Sequence, residues 1–476
     1  MIWQEVIFNR LNIQREYPKL ILDKTGVLIS RQFTYYIEAQ SIHYSVAQSI
    51  SDILSLIKEN SLILCFFIEL PSYILDKIDI TIFDYNHLPI EINYTLAKSL
   101  KPETIISLLD YKFNNKSLKL IDETNIKDEL LLAIQYEKHQ KAQKLKNKLS
   151  IIKTLIIKDF EDVLELGNIW GEYIYACFNA EILPDEYITT TIDKIVETSI
   201  LNGCLKNAFY ATENDFKTVN KILSYIKSKN KEKIALITFD GIGMAEWMLF
   251  KDYLAPFGFT FSEKSLFSLI PTITKISRSA IYYGDSISVY SLKTPNEEKK
   301  LKEYFSNMTC RFYKEGDING EDSVLGIDFV SIIYNAFDEI AHSTKIPPGE
   351  KTKFIYFNNL LTYLNKSSIK DELLLLKHLD YNIFICSDHG CVVAEGNGQE
   401  IDKYLIEAQS KRATLITKTE LSSFYDVNHY KIPFLSDDKV ALLSKNRTIF
   451  TSKNITAISH GGITLDELIV PFAEVI

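Results

Sequence analysis

The sequence is poor in chain breakers. Its 476 residues include 17 glycines and 12 prolines, set against 27 tyrosines and 27 phenylalanines. That balance excludes a disordered chain, which cannot bury enough apolar surface to order itself. Cysteine is sparse as well. Cys65, Cys177, Cys204, Cys310, Cys386 and Cys391 are scattered, with no Cys-x-x-Cys pair, and most sit in apolar runs. They are expected to be buried free thiols of a reducing compartment, not a disulfide framework. No apolar segment reaches about 18 residues, so no membrane span is expected. The start, Met1-Ile2-Trp3-Gln4-Glu5, lacks a positive region followed by an apolar stretch. No signal peptide is expected, and the cytoplasm is the expected location. Positive charge is not in excess either. The net charge is −9, which gives no whole-molecule attraction to nucleic acid. The basic run Lys138, Lys141, Lys144, Lys146 and Lys148 reads as a solvated helix face.

What is present is a large core. Hydrophobic residues make up 46% of the chain, and the length suits two or three domains. Residues 1–115 mix strand and helix signals. Lys19 to Asp23 and Leu62 to Leu70 are apolar runs, and Ser45 to Ile57 between them has helical spacing, which predicts a small α/β domain. Residues 116–230 read as a helical region, with Glu129 to Leu155, Leu166 to Phe178 and Ile192 to Ile200 as its helices. The polar stretch Ser228 to Lys233 is a natural boundary.

From 231 to 476 the pattern changes. Strand-length apolar runs recur at Ile234–Phe239, Phe329–Tyr334, Asn382–Ser387, Val440–Leu443 and Leu468–Ile476, separated by helical stretches. Runs apolar on both faces belong to central strands covered by helices, which predicts an α/β fold with a mostly parallel sheet.

The residues after these runs carry the chemistry. Asp240-Gly241 follows the first and Asp338 and His342 follow the second. Asp388-His389-Gly390 follows the third, and Ser459-His460-Gly461-Gly462 precedes the last. Ligand sites in open parallel sheets form at the carboxyl ends of strands, so three Asp and three His are predicted to gather at one edge. Asp338 and His342 are spaced i, i+4, on one face of a helix. Carboxylate with imidazole suits zinc, or manganese as the harder alternative. Between these elements lies Pro271-Thr272-Ile273-Thr274-Lys275-Ile276-Ser277-Arg278, where an apolar run turns into a predicted helix. A threonine there can cap the helix. Beside a metal it can instead become a nucleophile, with the helix N-terminus facing phosphate charge. Lys275 and Arg278 are candidates to bind the substrate phosphate.

The order Asp, Thr, Asp-x-x-x-His, Asp-His, His resembles that of the alkaline phosphatase superfamily. The segments Leu236-Ile237-Thr238-Phe239-Asp240-Gly241, Pro271-Thr272-Ile273-Thr274, Ser387-Asp388-His389-Gly390 and His460-Gly461-Gly462 through Val470-Pro471 are most similar to the PglZ domain of BREX phage-defence loci. The resemblance spans about 231–476. It implies an alkaline-phosphatase-like sheet and two divalent ions. Asp240, Asp388, His389 and the nucleophile would hold one ion, and Asp338, His342 and His460 the other. It places the nucleophile at Thr274, the second threonine of the Pro-Thr-x-Thr string, with Thr272 as the alternative. Where PglZ domains often carry Arg near the first Asp, this chain has Gly241-Ile242-Gly243-Met244. The implied activity is phosphoester hydrolysis, diesters favoured, on a nucleotide or oligonucleotide. Other defence-system proteins are the implied partners. A PglZ-fold scaffold with little catalysis is the alternative, and a phosphomutase or phosphonate hydrolase of the same superfamily is another.

Overall fold

The computed structural model describes residues 2–13, 19–59, 61–66, 70, 79–117, 119–150, 159–205, 216–287, 295–344, 352–399, 410–423, 427–432 and 439–476. The chain forms two compact units, Met1–Lys141 and Ala142–Ile476. The division falls inside the helix Ile126–Ser150. The remainder of the helical run expected to reach Leu155 lies outside the described residues.

The first unit carries a parallel sheet of β1 (Lys19–Asp23), β2 (Tyr44–Ala47), β3 (Leu62–Phe66) and β4 (Asp79–Phe83) in the order β2-β3-β1-β4. The helix expected from Ser45 begins later, at Ile50. Tyr44–Ala47 pairs with β3 instead, and Ser49 starts the helix through a capping box with Asp52. At the carboxyl end of β1, Asp23 is buried. It spends its carboxylate on the backbone N–H groups of Thr25, Gly26 and Leu28 and on the Thr25 hydroxyl. It locks a turn and is not presented to a ligand.

The second unit is built on six strands: β5 (Ile234–Phe239), β6 (Phe261–Phe267), β7 (Cys310–Lys314), β8 (Phe329–Tyr334), β9 (Asn382–Ser387) and, last in the chain, β16 (Ile469–Val475). Their order is β6-β16-β9-β5-β8-β7. All pairings among β9, β5, β8 and β7 are parallel, and β16 alone runs against both of its neighbours. The predicted α/β class with a mostly parallel sheet therefore holds. Central β5 and β8 are buried along their whole length, as their unbroken apolar runs require. Edge strands β6 and β7 are half exposed, so their polar residues hide them from a search for apolar runs.

Between β9 and β16 lie two small sheets. One joins β10 (Val392–Gly396), β14 (Thr448–Ile449) and β15 (Thr456–Ser459). The other joins β11 (Ala413–Thr417), β12 (Asn428–Tyr430) and β13 (Lys439–Leu443). Val440–Leu443, expected in the main series, belongs to the second and, among the described residues, pairs with β11 and β12.

The helices Phe160–Asn179 and Glu186–Leu201 share one core with the main sheet through Val163, Leu166, Trp170, Ile192 and Val196. The segment after residue 159 thus completes the sheet's cover. All six cysteines are free, and Cys65, Cys177, Cys386 and Cys391 are buried. Among the described residues no helix is long and apolar enough to cross a membrane.

Candidate metal centre

The carboxyl ends of β5, β8 and β9 lie side by side, and each chain exit delivers a polar side chain to the same place. Asp240 leaves β5, its N–H held by the Tyr334 carbonyl of β8 at 2.9 Å. Gly241 follows with φ +86°, and a Cβ there would meet Asp338 Cβ at 3.2 Å. The turn therefore needs a residue that tolerates both positive φ and close approach. After β8, the helix Ala336–Ser343 carries Asp338 and His342 one turn apart, with His342 Nε2 3.3 Å from Asp338 Oδ1. After β9 come Asp388 and His389. Gly390 next to them is constrained by space alone, since a Cβ would lie 2.0 Å from the Asp466 carbonyl oxygen. His460 arrives from the end of β15, its ring stacked on that of His389 with centroids 4.0 Å apart.

Two clusters of donor atoms result. In the first, Thr274 Oγ1 lies 3.2 Å from Asp240 Oδ1 and 3.0 Å from His389 Nε2, and those two atoms are 3.3 Å apart. In the second, Asp338 Oδ1 lies 3.3 Å from His342 Nε2 and 3.5 Å from His460 Nε2. A tetrahedral ion with arms of about 2.0–2.1 Å spaces its ligand atoms roughly 3.3–3.4 Å apart. The donor spacings match that edge length. Asp338 also groups with Asp240 and His389, all their ligand atoms lying within 4.8 Å of one another, so the two clusters adjoin.

The orientation of the rings agrees. His389 Nδ1 is 3.1 Å from the Gly390 carbonyl and His460 Nδ1 is 3.0 Å from the Thr272 carbonyl. A carbonyl accepts only, so each Nδ1 carries the proton and each Nε2 is turned to the cluster, as metal-binding histidines require. Asp338 Oδ1 and His460 Nε2 are buried without a hydrogen-bond partner. An orphaned buried acceptor is costly unless something pairs with it, and a divalent ion would. The residues fit such an ion.

The electrostatics call for positive charge. Burial pushes the Asp388 carboxyl up to about 6, with the Asp240 charge adding to it. Burial alone would lower the His389 ring, but Asp388 and Asp240 override it and push it up to about 10. Burial and the His389 charge push His460 down to about 3, so it is neutral and able to bind metal. Burial works to raise Asp240, yet the His389 hydrogen bond and the Arg278 charge outweigh it and hold the carboxyl below its ordinary range.

The two threonines are placed differently. Thr274 opens the helix Thr274–Tyr283 and turns its hydroxyl to Asp240 and His389. Thr272 is fully buried. Its hydroxyl donates to the Gly462 carbonyl at 2.8 Å and accepts from the Gly461 N–H at 3.0 Å, so it fastens the turn that carries His460. Lys275 is exposed. Arg278, one helical turn after Thr274, points inward to Asp240, Asp388 and Asn335.

Several residues the sequence did not single out hold these groups in place. Ser268 donates to the Asp388 carbonyl at 2.6 Å. Buried Glu467 accepts from the N–H groups of Gly462 and Thr464, from the Thr464 hydroxyl and from Arg412. Arg447 bridges Asp193 and Asp466, and Trp170 donates to the same Asp466 carboxylate. The contacts made by Ser268, Arg412, Arg447 and Trp170 span up to 296 residues of sequence and leave no local pattern. Asn335 and Glu467 had a visible signal, the first opening the string that ends at Asp338 and the second closing the capping box Thr464-x-x-Glu467.

No curated protein matches the chain. Among solved structures, murine ectonucleotide pyrophosphatase/phosphodiesterase 5 aligns at 12% identity and a TM-score of 0.33, covering 51% of this chain and 87% of that one. The human counterpart aligns at 14% and 0.34, covering 51% and 87%. Both are too distant to assign roles to residues. The family described as the BREX system PglZ alkaline phosphatase-like domain matches residues 217–475, more than half of the chain, including the whole six-stranded sheet and all the residues of both clusters. The chain belongs to the PglZ family of alkaline phosphatase-like domains.

Proposed function

We propose that the chain is a metal-dependent phosphoric ester hydrolase that uses Thr274 as nucleophile and prefers phosphodiesters. The observation that carries this reading is the placement of the Thr274 hydroxyl within 3.2 Å of Asp240 and 3.0 Å of His389, beside the second cluster of Asp338, His342 and His460. Asp240, His389 and Asp388 would hold one divalent ion and Asp338, His342 and His460 the other, zinc being the expected metal. Bound there, the ions would supply the charge that lowers the hydroxyl pKa and clamps phosphoryl oxygens. Thr274 Oγ1 attacks phosphorus in line, forming a phosphothreonine ester and releasing the first alcohol. Water then hydrolyses that ester, releasing the phosphomonoester and restoring the hydroxyl. The N-terminus of the helix Thr274–Tyr283 faces the phosphoryl group and favours its negative charge.

A diester carries one negative charge less than a monoester. The two ions and the helix terminus match that smaller charge. A nucleotide or oligonucleotide is the proposed substrate class, and the family description suggests a role in phage defence beside other proteins of such a system.

The test is turnover of a simple aryl diester by zinc-loaded protein. Thr274→Ala should abolish it while metal content stays nearly intact. Full turnover by Thr274→Ala would refute covalent catalysis at this residue.

A further inference from the structure

The guanidinium of Arg278 reaches the ends of three adjacent strands. Its Nη2 pairs with Asp240 Oδ2 after β5, and its Nε lies 3.2 Å from Asp388 Oδ2 after β9. Its Nη1 lies 3.0 Å from Asn335 Oδ1 after β8. Each of the three nitrogens is thus committed to a protein acceptor, and the side chain is only 13% exposed.

The two carboxylates divide their oxygens. Asp240 uses Oδ1 toward Thr274 and His389, and Oδ2 toward Arg278. Asp388 uses Oδ1 for the N–H groups of His389 and Gly241, and Oδ2 for Arg278. The arginine therefore grips the oxygens that face away from the His389 ring. It sets the rotation of both carboxylates, and so where Asp240 Oδ1 points.

Arg278 had been expected to bind the phosphate. We infer instead that Arg278 is a positioning residue for the Asp240–Asp388–His389 metal site, fixing the orientation of its carboxylates, and is not a substrate contact. This assignment rests on the proposed function above. Arginine suits the task because its planar fork can meet two carboxylates and an amide oxygen at once, which the single ammonium of lysine cannot. The helix supplies the reach. Thr274 and Arg278 are i, i+4, so one face of one helix delivers both the hydroxyl and the clamp.

The experiment is zinc competition against a chromogenic chelator, resolving two binding steps in the full chain, with diester kinetics alongside. Partners that orient metal ligands are typically worth about 10–100-fold in metal affinity. Arg278→Ala should therefore weaken one zinc by about that factor, while the zinc at Asp338, His342 and His460 keeps its affinity and so reports an intact fold. Arg278→Lys should fall between wild type and Ala in affinity, and at saturating zinc both variants should keep the wild-type KM. Unchanged affinity at both sites with a raised KM would overturn the assignment and make Arg278 a substrate contact. Loss of both zinc ions from Arg278→Ala would also overturn it, because the effect would be global. A wild type that binds no zinc would instead overturn the proposed function, and this inference with it.

Discussion

Arg412 and Glu467 are both fully buried, 55 residues apart in the chain, and their pairing holds the turn after His460. Replacing Arg412 with Met keeps much of the apolar stem and removes the charge. Glu467 then loses the Nε and Nη2 contacts at 2.7 and 3.1 Å. It keeps the Gly462 and Thr464 N–H groups and the Thr464 hydroxyl, but no opposite charge faces it. The carbonyls of Thr448 and Asn446, which accept from Arg412, lose a donor too. Breaking a buried ion pair from one side typically costs about 3–5 kcal/mol, so Arg412→Met should lose roughly that much in urea unfolding of the metal-free protein. Adding Glu467→Gln should recover part of the loss, because the remaining side chain is then neutral and still meets its N–H donors. The turn carries His460, so Arg412→Met should also weaken zinc at the Asp338–His342–His460 cluster. Unfolding of Arg412→Met within about 1 kcal/mol of wild type would show that the pair is not coupled to the turn.

Thr272→Val should leave the Gly461 N–H and the Gly462 carbonyl unpaired. It should cost about 1–3 kcal/mol in unfolding while keeping measurable turnover, the reverse of the pattern expected for Thr274→Ala. Gly390→Ala puts a Cβ 2.0 Å from the Asp466 carbonyl and should displace His389, seen as loss of one zinc per chain. In the metal-free protein, His389 and Asp388 have raised pKa values of about 10 and about 6, so these two groups bind more protons in the folded state than in the unfolded one, while His460, lowered to about 3, binds fewer below its unfolded value. The stability they contribute is fully present below their unfolded values and is lost as pH rises, first toward 6 through Asp388 and then toward 10 through His389. Below pH 6.5 the lowered His460 opposes Asp388, so chemical denaturation of the metal-free chain between pH 7 and 9 tests the His389 contribution, and stability that rises with pH across that window would contradict it. The same proton must leave His389 when an ion binds, so zinc affinity should climb by up to about tenfold from pH 7 to pH 8.

Much of the site could be read from sequence because Asp240, Asp388 and His389 sit where apolar runs stop and Asp338 and His342 share the helix that follows one. Asp240, Asp338 and Asp388 follow runs too apolar to end in a charge without a reason, and the glycines at 241 and 390 mark turns that admit no side chain. β5, β8 and β9 were legible for the same reason, since burial on both faces leaves the runs free of charged residues and with only small or amide polar ones such as Thr238, Ser331 and Asn382. Edge strands β6 and β7 were not, because a half-exposed strand mixes Ser, Glu, Lys and Arg with its apolar residues. Val440–Leu443 showed the same apolar signal as the central strands, and only pairing partners distant in sequence assign it to a separate sheet. The direction of Arg278 was illegible for a related cause. Its helix position places it on the Thr274 face, but whether it meets substrate or carboxylate depends on how Asp388 and Asn335 arrive from other strands.

The central claim is that these adjoining clusters make a metal-dependent esterase, and the most direct measurement is diester turnover as a function of metal content. Protein stripped by chelation should not cleave an aryl phosphodiester, and activity should return in proportion to zinc up to two ions per chain. Asp338→Ala and Asp240→Ala should each fail to regain it. Protein that carries two zinc ions yet cleaves neither a diester nor a monoester would contradict the account.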